Sequence, residues 1–316
     1  MQFPENNIHF IVGMSRAGTN WLMLSLNNHT RVVSFGETSF WGSFFLNKAE
    51  YDTNDLILLK EKYKNLGYST PHLFKQYGGT GQVIGNVLDI LIETGKEYAP
   101  KDVFLELASA FASLENKPIV IEKTPHHVNH LARIRQNFPN SKVIIHKREA
   151  KAFMLSYKHQ GDRMEDKIKR KFKKLYHPLG CALVYKKYLR SIKLANKLEN
   201  TLLIDTYEID IEPDEVLKKV LSFIEVPFEN ISLPKANSSF SGDFQKSLAV
   251  DDLFWLWMVV EGQKLDLKAS QLFLLPFIVL FSTFKIPFWI LFTISHMSKH
   301  AADKKSVSKY LYNLLK

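Results

Sequence analysis

Residues 8–26 read IHFIVGMSRAGTNWLMLSL, which is a short apolar run, a loop with glycines and an apolar repeat. The run 8–12 predicts a buried strand, and the repeat after Thr19 predicts a helix because apolar residues recur at helical spacing. Gly13 and Gly18 bracket the loop between these two elements. A loop of this kind directs backbone N–H groups and the positive end of the helix dipole at one point. The segment therefore predicts a site for a phosphate or a sulfate that needs no metal.

The loop resembles the Walker A phosphate loop, because four residues separate its two glycines, but Thr19 stands where that motif has its lysine. An ATP-hydrolysing site uses that lysine to reach the β and γ phosphates, so the difference argues against a kinase or NTPase. Arg16 supplies the positive charge from inside the loop instead. A phosphate-loop kinase or NTPase, which would require Mg²⁺ and ATP, stays open as an alternative.

The sequence S-R-A-G-T-N resembles the 5′-phosphosulfate-binding loop of sulfotransferases, whose common form is R-S-G-T-T. Ala17 and Asn20 are departures from that form. The resemblance implies that the sulfate donor PAPS is bound by six loop residues: Ser15, Arg16, Ala17, Gly18, Thr19 and Asn20.

The composition limits the possible partners of the chain. At 316 residues it is long enough for one large domain, or for a domain with a smaller attachment. Its 42 Lys and Arg exceed its 32 Asp and Glu, giving a formal net charge of +10. A basic chain suits a polyanionic ligand, nucleic acid or an anionic membrane surface. Cys181 is the single cysteine, so an intramolecular disulfide and a cysteine-based zinc site are excluded.

Two further strand-to-helix units predict the fold class. The apolar run 119–121 ends in Glu122-Lys123, and the run 143–145 ends in a basic segment that contains Arg148. Successive units of this kind predict an α/β fold with a central parallel sheet between two helical layers, a three-layer, P-loop-like α/β/α fold. Ligands of such sheets lie at the carboxyl ends of the strands. We therefore expect Arg16, Lys123 and Arg148 to converge on one crevice.

Residues 143–156, VIIHKREAKAFMLS, resemble the 3′-phosphate-binding segment of sulfotransferases, although REA replaces the usual RDP or RDG. The resemblance implies that Arg148 and Ser156 bind the 3′-phosphate of PAPS. The segments IEKTP and FPNSK are similar to those of tyrosylprotein and carbohydrate sulfotransferases, which places Lys123 at the catalytic lysine. The Glu-Thr turn at Glu37 matches the turn that carries the general base, although a solvated turn residue is the simpler interpretation of Glu37 alone.

Residues 206–228 resemble the sulfotransferase segment that runs from a strand end through a helix to a Leu-Pro-Phe sequence. By that resemblance Tyr207 contacts the nucleotide, although packing at a strand end would also explain it. The segment 237–242 corresponds to the part of the family that closes over the 3′-phosphate, and Ser239 is the predicted contact. His126, His127 and His159 are weaker candidates for the base.

The C-terminal part has a different character. Residues 270–298 are overwhelmingly apolar, interrupted by Pro276, Lys285 and Pro287, and a basic tail follows. The length suffices to cross a bilayer, but two prolines and a lysine favour a broken or re-entrant membrane hairpin over a straight span; a core helix is the alternative. The basic segment 163–174 is interpreted as a solvated helix face, and aromatic residues are not interleaved with it as nucleic-acid binding would require.

Together these features predict a PAPS-dependent sulfotransferase without a metal. Residues 1–250 form the catalytic domain, with 42–115 as a helical lid or acceptor region, and residues 251–316 form a helical, membrane-associated region. The acceptor is a hydroxyl or amine of a carbohydrate, lipid or other membrane-associated molecule. Because residues 1–7 lack the features of a targeting signal, we expect the enzyme in the cytoplasm, attached to a membrane through 270–298. A catalytically silent membrane-surface binding protein on the same fold is a further alternative.

Overall fold

The computed structural model describes residues 3–64, 73–162, 164–234 and 247–300, with side chains up to Ser295 in the last range. Its sheet has five parallel strands, in the order β2-β3-β1-β4-β5. The strands are β1 (Ile8–Gly13), β2 (Val32–Gly36), β3 (Ile119–Lys123), β4 (Val143–Lys147) and β5 (Thr201–Asp205). The predicted α/β class with a central parallel sheet is confirmed.

Helices connect and follow the strands. They are α1 (Thr19–Asn27), α2 (Thr53–Lys64), α3 (Thr80–Glu93), α4 (Pro100–Glu115), α5 (Leu131–Asn137), α6 (Ala150–Lys158), α7 (Asp166–Leu175), α8 (Pro178–Ala195), α9 (Thr206–Ile211), α10 (Pro213–Phe223), α11 (Val250–Val259) and α12 (Ala269–His300). A 3₁₀ helix, Pro125–His130, leads from β3 into α5. The chain forms two compact units: Met1–Lys147 with Ile192–Ala236, and Arg148–Ser191 with Asn237–Lys316. We call them the sheet unit and the helical unit.

The sheet unit has three layers. Neighbouring residues of a strand point to opposite faces of the sheet, so each face has its own side chains to pack against helices. Ile11 of β1 belongs to a buried cluster with Leu22 of α1 and Leu217 of α10. The adjacent Phe10 points the other way and stacks on Phe104 of α4, with 5.9 Å between ring centroids. Helices therefore cover both faces of the sheet, while the carboxyl ends of the strands carry the polar segments predicted to bind the ligand.

In the helical unit, α12 is one continuous helix that contains both Pro276 and Pro287. The predicted broken or re-entrant hairpin is therefore wrong. Each proline removes a single backbone donor, which can distort a helix without ending it when the rest of the helix is held by packing. By length and composition, Ala269–Ser295 is the one stretch of the described chain that could cross a membrane, with 27 residues and a mean hydropathy of 2.0. The predicted apolar C-terminal helical segment is present.

Candidate active site

The loop between β1 and α1 requires its two glycines. Gly13 has φ +127°, and a Cβ there would lie 2.1 Å from the carbonyl oxygen of His146 on the neighbouring strand β4. Gly18 has φ +83°, and a Cβ there would lie 2.9 Å from Cδ1 of Ile209. Side chains are strained in this backbone region and would also clash here. The sequence therefore constrains both the conformation of the loop and its close approach to β4.

The carbonyl of Ala17 is held from inside the protein. It accepts hydrogen bonds from His146 Nδ1 at 2.9 Å and from Thr206 Oγ1 at 3.0 Å. Burial lowers the pKa of His146 to about 4, so its ring is neutral at pH 7 and Nδ1 carries the donated proton. A peptide whose carbonyl points inward turns the following N–H outward. The N-cap of α1 is Gly18, which has no side chain to cap the helix, so the N–H groups of the first turn can bind an anion.

The six loop residues predicted to bind the donor differ in exposure. Ala17 and Thr19 are buried, Ser15, Arg16 and Gly18 are half-buried, and Asn20 is exposed. Arg16 adopts a left-handed conformation with φ +68°, unusual for a residue other than glycine. The backbone at this point is therefore bent by the loop rather than by a local preference of arginine.

Lys123 joins the loop to the second predicted catalytic residue. It ends β3 and is fully buried, and its Nζ donates to Asn20 Oδ1 at 2.5 Å and to Glu37 Oε1. The Glu37 side chain, just after β2, keeps 28% of its exposure. The strand order places the ends of β2, β3 and β1 side by side, so a carboxylate, an ammonium group and the loop with the two glycines meet here. This group can bind an anion, stabilise developing negative charge and accept a proton.

A buried network around Glu122, the residue before Lys123 on β3, is not predicted from the sequence. Glu122 is fully buried and accepts hydrogen bonds from Thr38 Oγ1 at 2.8 Å and from Thr124 Oγ1, and lies 2.9 Å from His127 Nδ1. Burial alone would raise the pKa of Glu122, but the charge of His127 and these hydrogen bonds together lower it. A glutamate inside an apolar strand was the available signal, since such a group needs a partner.

This network also bears on His127 as a weaker candidate for the base. His127 is fully buried, and its Nδ1 contacts the carboxylate of Glu122 inside the protein. In the helical unit, His159 Nδ1 lies 2.6 Å from Asp162 Oδ2. His126 is half-buried beside His127. Among the residues considered for the base, Glu37 has the carboxylate that lies against Lys123 and keeps access to solvent.

The predicted 3′-phosphate residues lie in the helical unit. Arg148 is 7% exposed and Ser156, on α6, is 3% exposed. The backbone carbonyl of Arg148 accepts a hydrogen bond from Tyr185 Oη at 3.0 Å. Glu149 caps α6 by accepting from the Ala152 N–H at 2.8 Å. The unusual glutamate after the arginine thus has a local role as the N-cap, which a shorter aspartate can also perform.

Tyr207 and Ser239 are the remaining predicted contacts to the nucleotide. Tyr207, in the first turn of α9, is 70% exposed. Ser239 and its segment 237–242 lie outside the described residues. Within the described ranges, no three His, Cys, Asp or Glu side chains are grouped as a metal site would require.

Comparison with known proteins adds independent information. The model of a family described as the sulfotransferase family matches residues 9–230. The sulfotransferase domain of the Synechococcus PCC 7002 olefin synthase is a similar solved structure, with 16% identity, TM-score 0.48 and coverage of 72% of this chain and 76% of that one. A sulfotransferase domain from the curacin biosynthetic pathway has 20% identity, TM-score 0.47 and coverage of 71% and 75%. A sulfotransferase from Alicyclobacillus acidocaldarius has 15% identity, TM-score 0.42 and coverage of 75% and 87%. No curated protein sequence matches the chain.

Proposed function

Because the chain belongs to the sulfotransferase family, we propose that it transfers a sulfuryl group from PAPS to a hydroxyl or amine of an acceptor. The observation that carries the proposal is Lys123. This buried ammonium group donates both to Asn20, in the first turn after the loop, and to the carboxylate of Glu37. A buried cation between an anion-binding loop and a carboxylate is the arrangement that transfer of an anionic group to a protonated nucleophile requires.

In the proposed reaction the loop residues 15–20 bind the 5′-phosphosulfate of PAPS. The acceptor oxygen or nitrogen attacks sulfur, the bond from sulfur to the bridging oxygen breaks, and the electron pair leaves with that oxygen on the nucleotide. Lys123 stabilises this oxygen as its charge develops, which lowers the barrier more than it strengthens ground-state binding. Glu37 takes the acceptor proton. The products are the sulfated acceptor and PAP.

The ion pair between Lys123 and Glu37 has to loosen for this chemistry. While the carboxylate holds the ammonium group, Lys123 is not directed at the leaving oxygen and Glu37 is not directed at the acceptor. A phosphosulfate in the loop offers the ammonium group a more highly charged partner. We expect donor binding to release Glu37 for the acceptor proton.

From the family resemblance, Arg148 and Ser156 bind the 3′-phosphate of PAPS, with Tyr207 and Ser239 as further contacts to the nucleotide. We also propose that the helical region 42–115 contacts the acceptor. We also propose that the enzyme is cytoplasmic and is attached to a membrane through residues 270–298; the exposed apolar surface of α12 supports the attachment. The acceptor is then a carbohydrate, lipid or other molecule carried by that membrane.

The decisive experiment is transfer of radiolabelled sulfate from PAPS into extracted lipids and glycans, combined with calorimetry of PAP binding. We expect PAP to bind, and the Glu37→Gln variant to keep PAP affinity while transfer falls about 10²-fold or more. Glu199→Gln, at an exposed glutamate just before β5 that is outside the proposed donor and acceptor regions, is the matched control and should transfer sulfate normally.

Other outcomes of the same experiment would contradict the proposal. Absence of PAP binding, with stabilisation by ATP and Mg²⁺, would identify a phosphate-loop kinase or NTPase instead. PAP binding without transfer to any acceptor fraction, unchanged by Glu37→Gln or Lys123→Ala, would identify a catalytically silent binding protein.

A further inference from the structure

One face of α12 is exposed along its whole described length. Five phenylalanines and a leucine, each at least 66% exposed, form a stripe at intervals of three or four residues. They are Phe273, Phe277, Phe281, Phe284, Phe288 and Leu291. Soluble proteins seldom leave so long a row of large apolar side chains in water. The stripe therefore indicates a partner of apolar character.

The opposite face of α12 packs within the helical unit. Ser282, near the middle of the helix, is 2% exposed; its hydroxyl accepts from Trp255 Nε1 at 3.0 Å and its carbonyl lies 3.1 Å from His177 Nε2. Nearer the C-terminal end, Trp289 Nε1 donates to the Leu175 carbonyl at 2.9 Å. The helix is thus attached sideways to α11 and to the chain that follows α7.

Helix α7 adds a dense positive charge beside this apolar surface. Five of its cations are exposed, and none forms an ion pair with another described residue: Lys167, Arg170, Lys171, Lys173 and Lys174. Asp166 is the single acidic residue of α7. The Lys174 Nζ lies 5.8 Å from the centroid of the Phe292 ring, so the two helices meet. An apolar stripe next to unpaired cations complements a lipid surface with anionic headgroups.

A perpendicular span would place polar groups in the hydrocarbon. Ser282 is at the middle of Ala269–Ser295, so the bilayer centre would also receive His177 and α11. Asp252 of α11 is paired with Lys158 at 2.6 Å and accepts from Tyr176. Moving such groups into hydrocarbon costs several kcal/mol each. A helix lying in the interface buries the stripe and leaves these groups on the protein side.

We propose that α12 lies in the plane of an anionic membrane surface, with its phenylalanine stripe at the acyl-chain boundary and the cations of α7 on the headgroup phosphates. The inference rests on the membrane attachment proposed above, and it assigns the orientation of the helix and the charge of the lipid. It is independent of sulfuryl transfer. The full chain can be tested without turnover.

The first test is co-sedimentation of the full chain with vesicles of phosphatidylcholine alone, or of equimolar phosphatidylcholine and phosphatidylglycerol. We expect binding to the anionic vesicles that weakens with salt. Lys167→Ala with Lys171→Ala should weaken it about thirtyfold, since each surface cation contributes about fivefold. Lys193→Ala with Lys197→Ala removes two exposed lysines outside α7 and should leave binding unchanged.

The second test measures how deeply three positions of α12 lie in the bilayer. An environment-sensitive dye is attached in turn to Phe273→Cys, Phe281→Cys and Phe288→Cys in a Cys181→Ser background, and is quenched by lipids brominated at different carbons. An in-plane helix predicts one shallow depth at all three positions. A much deeper dye at 281 than at 273 and 288 would establish a span and overturn the orientation.

Two further outcomes would also overturn the inference. Equal binding to neutral and anionic vesicles would show that the cations of α7 do not contribute to membrane binding. Self-association in sedimentation equilibrium, without vesicle binding, would make the stripe an interface between two copies of the chain. If vesicles are not bound while PAP binding and sulfate transfer persist, this inference fails and the proposed reaction stands.

Discussion

The end of the sheet around Lys123 and the surface formed by α7 and α12 use charge in opposite ways. Around the sheet, Glu122, Lys123 and His127 are fully buried, and each is held by a specific partner. On α7 five cations are exposed and form no ion pair among the described residues, and exposed large apolar side chains lie beside them. Buried paired charges require one geometry, whereas exposed charges tolerate many. The first region suits a defined reaction, and the second suits a fluid, repetitive partner.

The largest expected effect comes from Lys123→Ala. Removing the ammonium group takes away the proposed stabilisation of the leaving oxygen, so kcat should fall about 10³-fold, or about 4 kcal/mol. Affinity for PAP should change little, because the interaction strengthens in the transition state. Sulfate transfer and calorimetry on the same preparation measure both. An equal loss of affinity and rate would make Lys123 a binding residue only.

Glu122→Gln tests whether the buried pair of Glu122 and His127 supports the fold. Removing one partner of a buried pair leaves the other uncompensated, so the free energy of unfolding should drop by about 3 kcal/mol in urea titration. The pKa of Glu122 is lowered in the folded state, so its stabilisation is present above the unfolded pKa and is lost as pH falls through the folded pKa. The wild type should lose this stability in acid, and Glu122→Gln should not. Glu93→Gln, with an exposed side chain, should behave as wild type.

His146→Ala tests how the loop is held. Without Nδ1 the Ala17 carbonyl loses one of its two donors, and PAP affinity should fall about fivefold, since one such bond contributes about 1 kcal/mol. His146→Asn, which can still donate, should restore most of the affinity. A loss of stability in His146→Ala without a loss of PAP affinity would make the residue purely structural.

His146 also predicts how the free energy of unfolding depends on pH. Burial lowers the pKa of both His9 and His146 to about 4, so the unfolded chain binds more protons than the folded one between about pH 4 and pH 6.5. Stability should therefore rise with pH through that window, by up to about 3 kcal/mol for each histidine. His146→Asn should remove about half of the slope.

The smallest effect is expected at the surface formed by α7 and α12. Lys167→Ala with Lys171→Ala should change the free energy of unfolding by less than about 0.5 kcal/mol, because both side chains are exposed and have no partner among the described residues. A larger loss would mean that α7 contributes to folding, and the contrast between the two regions would weaken.

The sequence predicted the parallel sheet and the loop well, because an apolar run, glycines at Gly13 and Gly18 and a helical repeat are local signals. The contact between Lys123 and Glu37 depends on β2, β3 and β1 being neighbours, and strand order leaves no local pattern. The pairing of Glu122 with His127 depends on the 3₁₀ turn after β3. The hairpin prediction failed since Pro276 and Pro287 were treated as breaks, whereas sideways packing holds α12 together.

The ion pair between Lys123 and Glu37 also couples the two substrates thermodynamically. If the donor draws the ammonium group away, the carboxylate of Glu37 becomes free to accept the proton of the acceptor. Each substrate then raises the affinity of the enzyme for the other by the same factor, because linkage between two binding sites is reciprocal. Such positive cooperativity disfavours the binding of either substrate alone, so it limits unproductive binding of the acceptor to the empty enzyme.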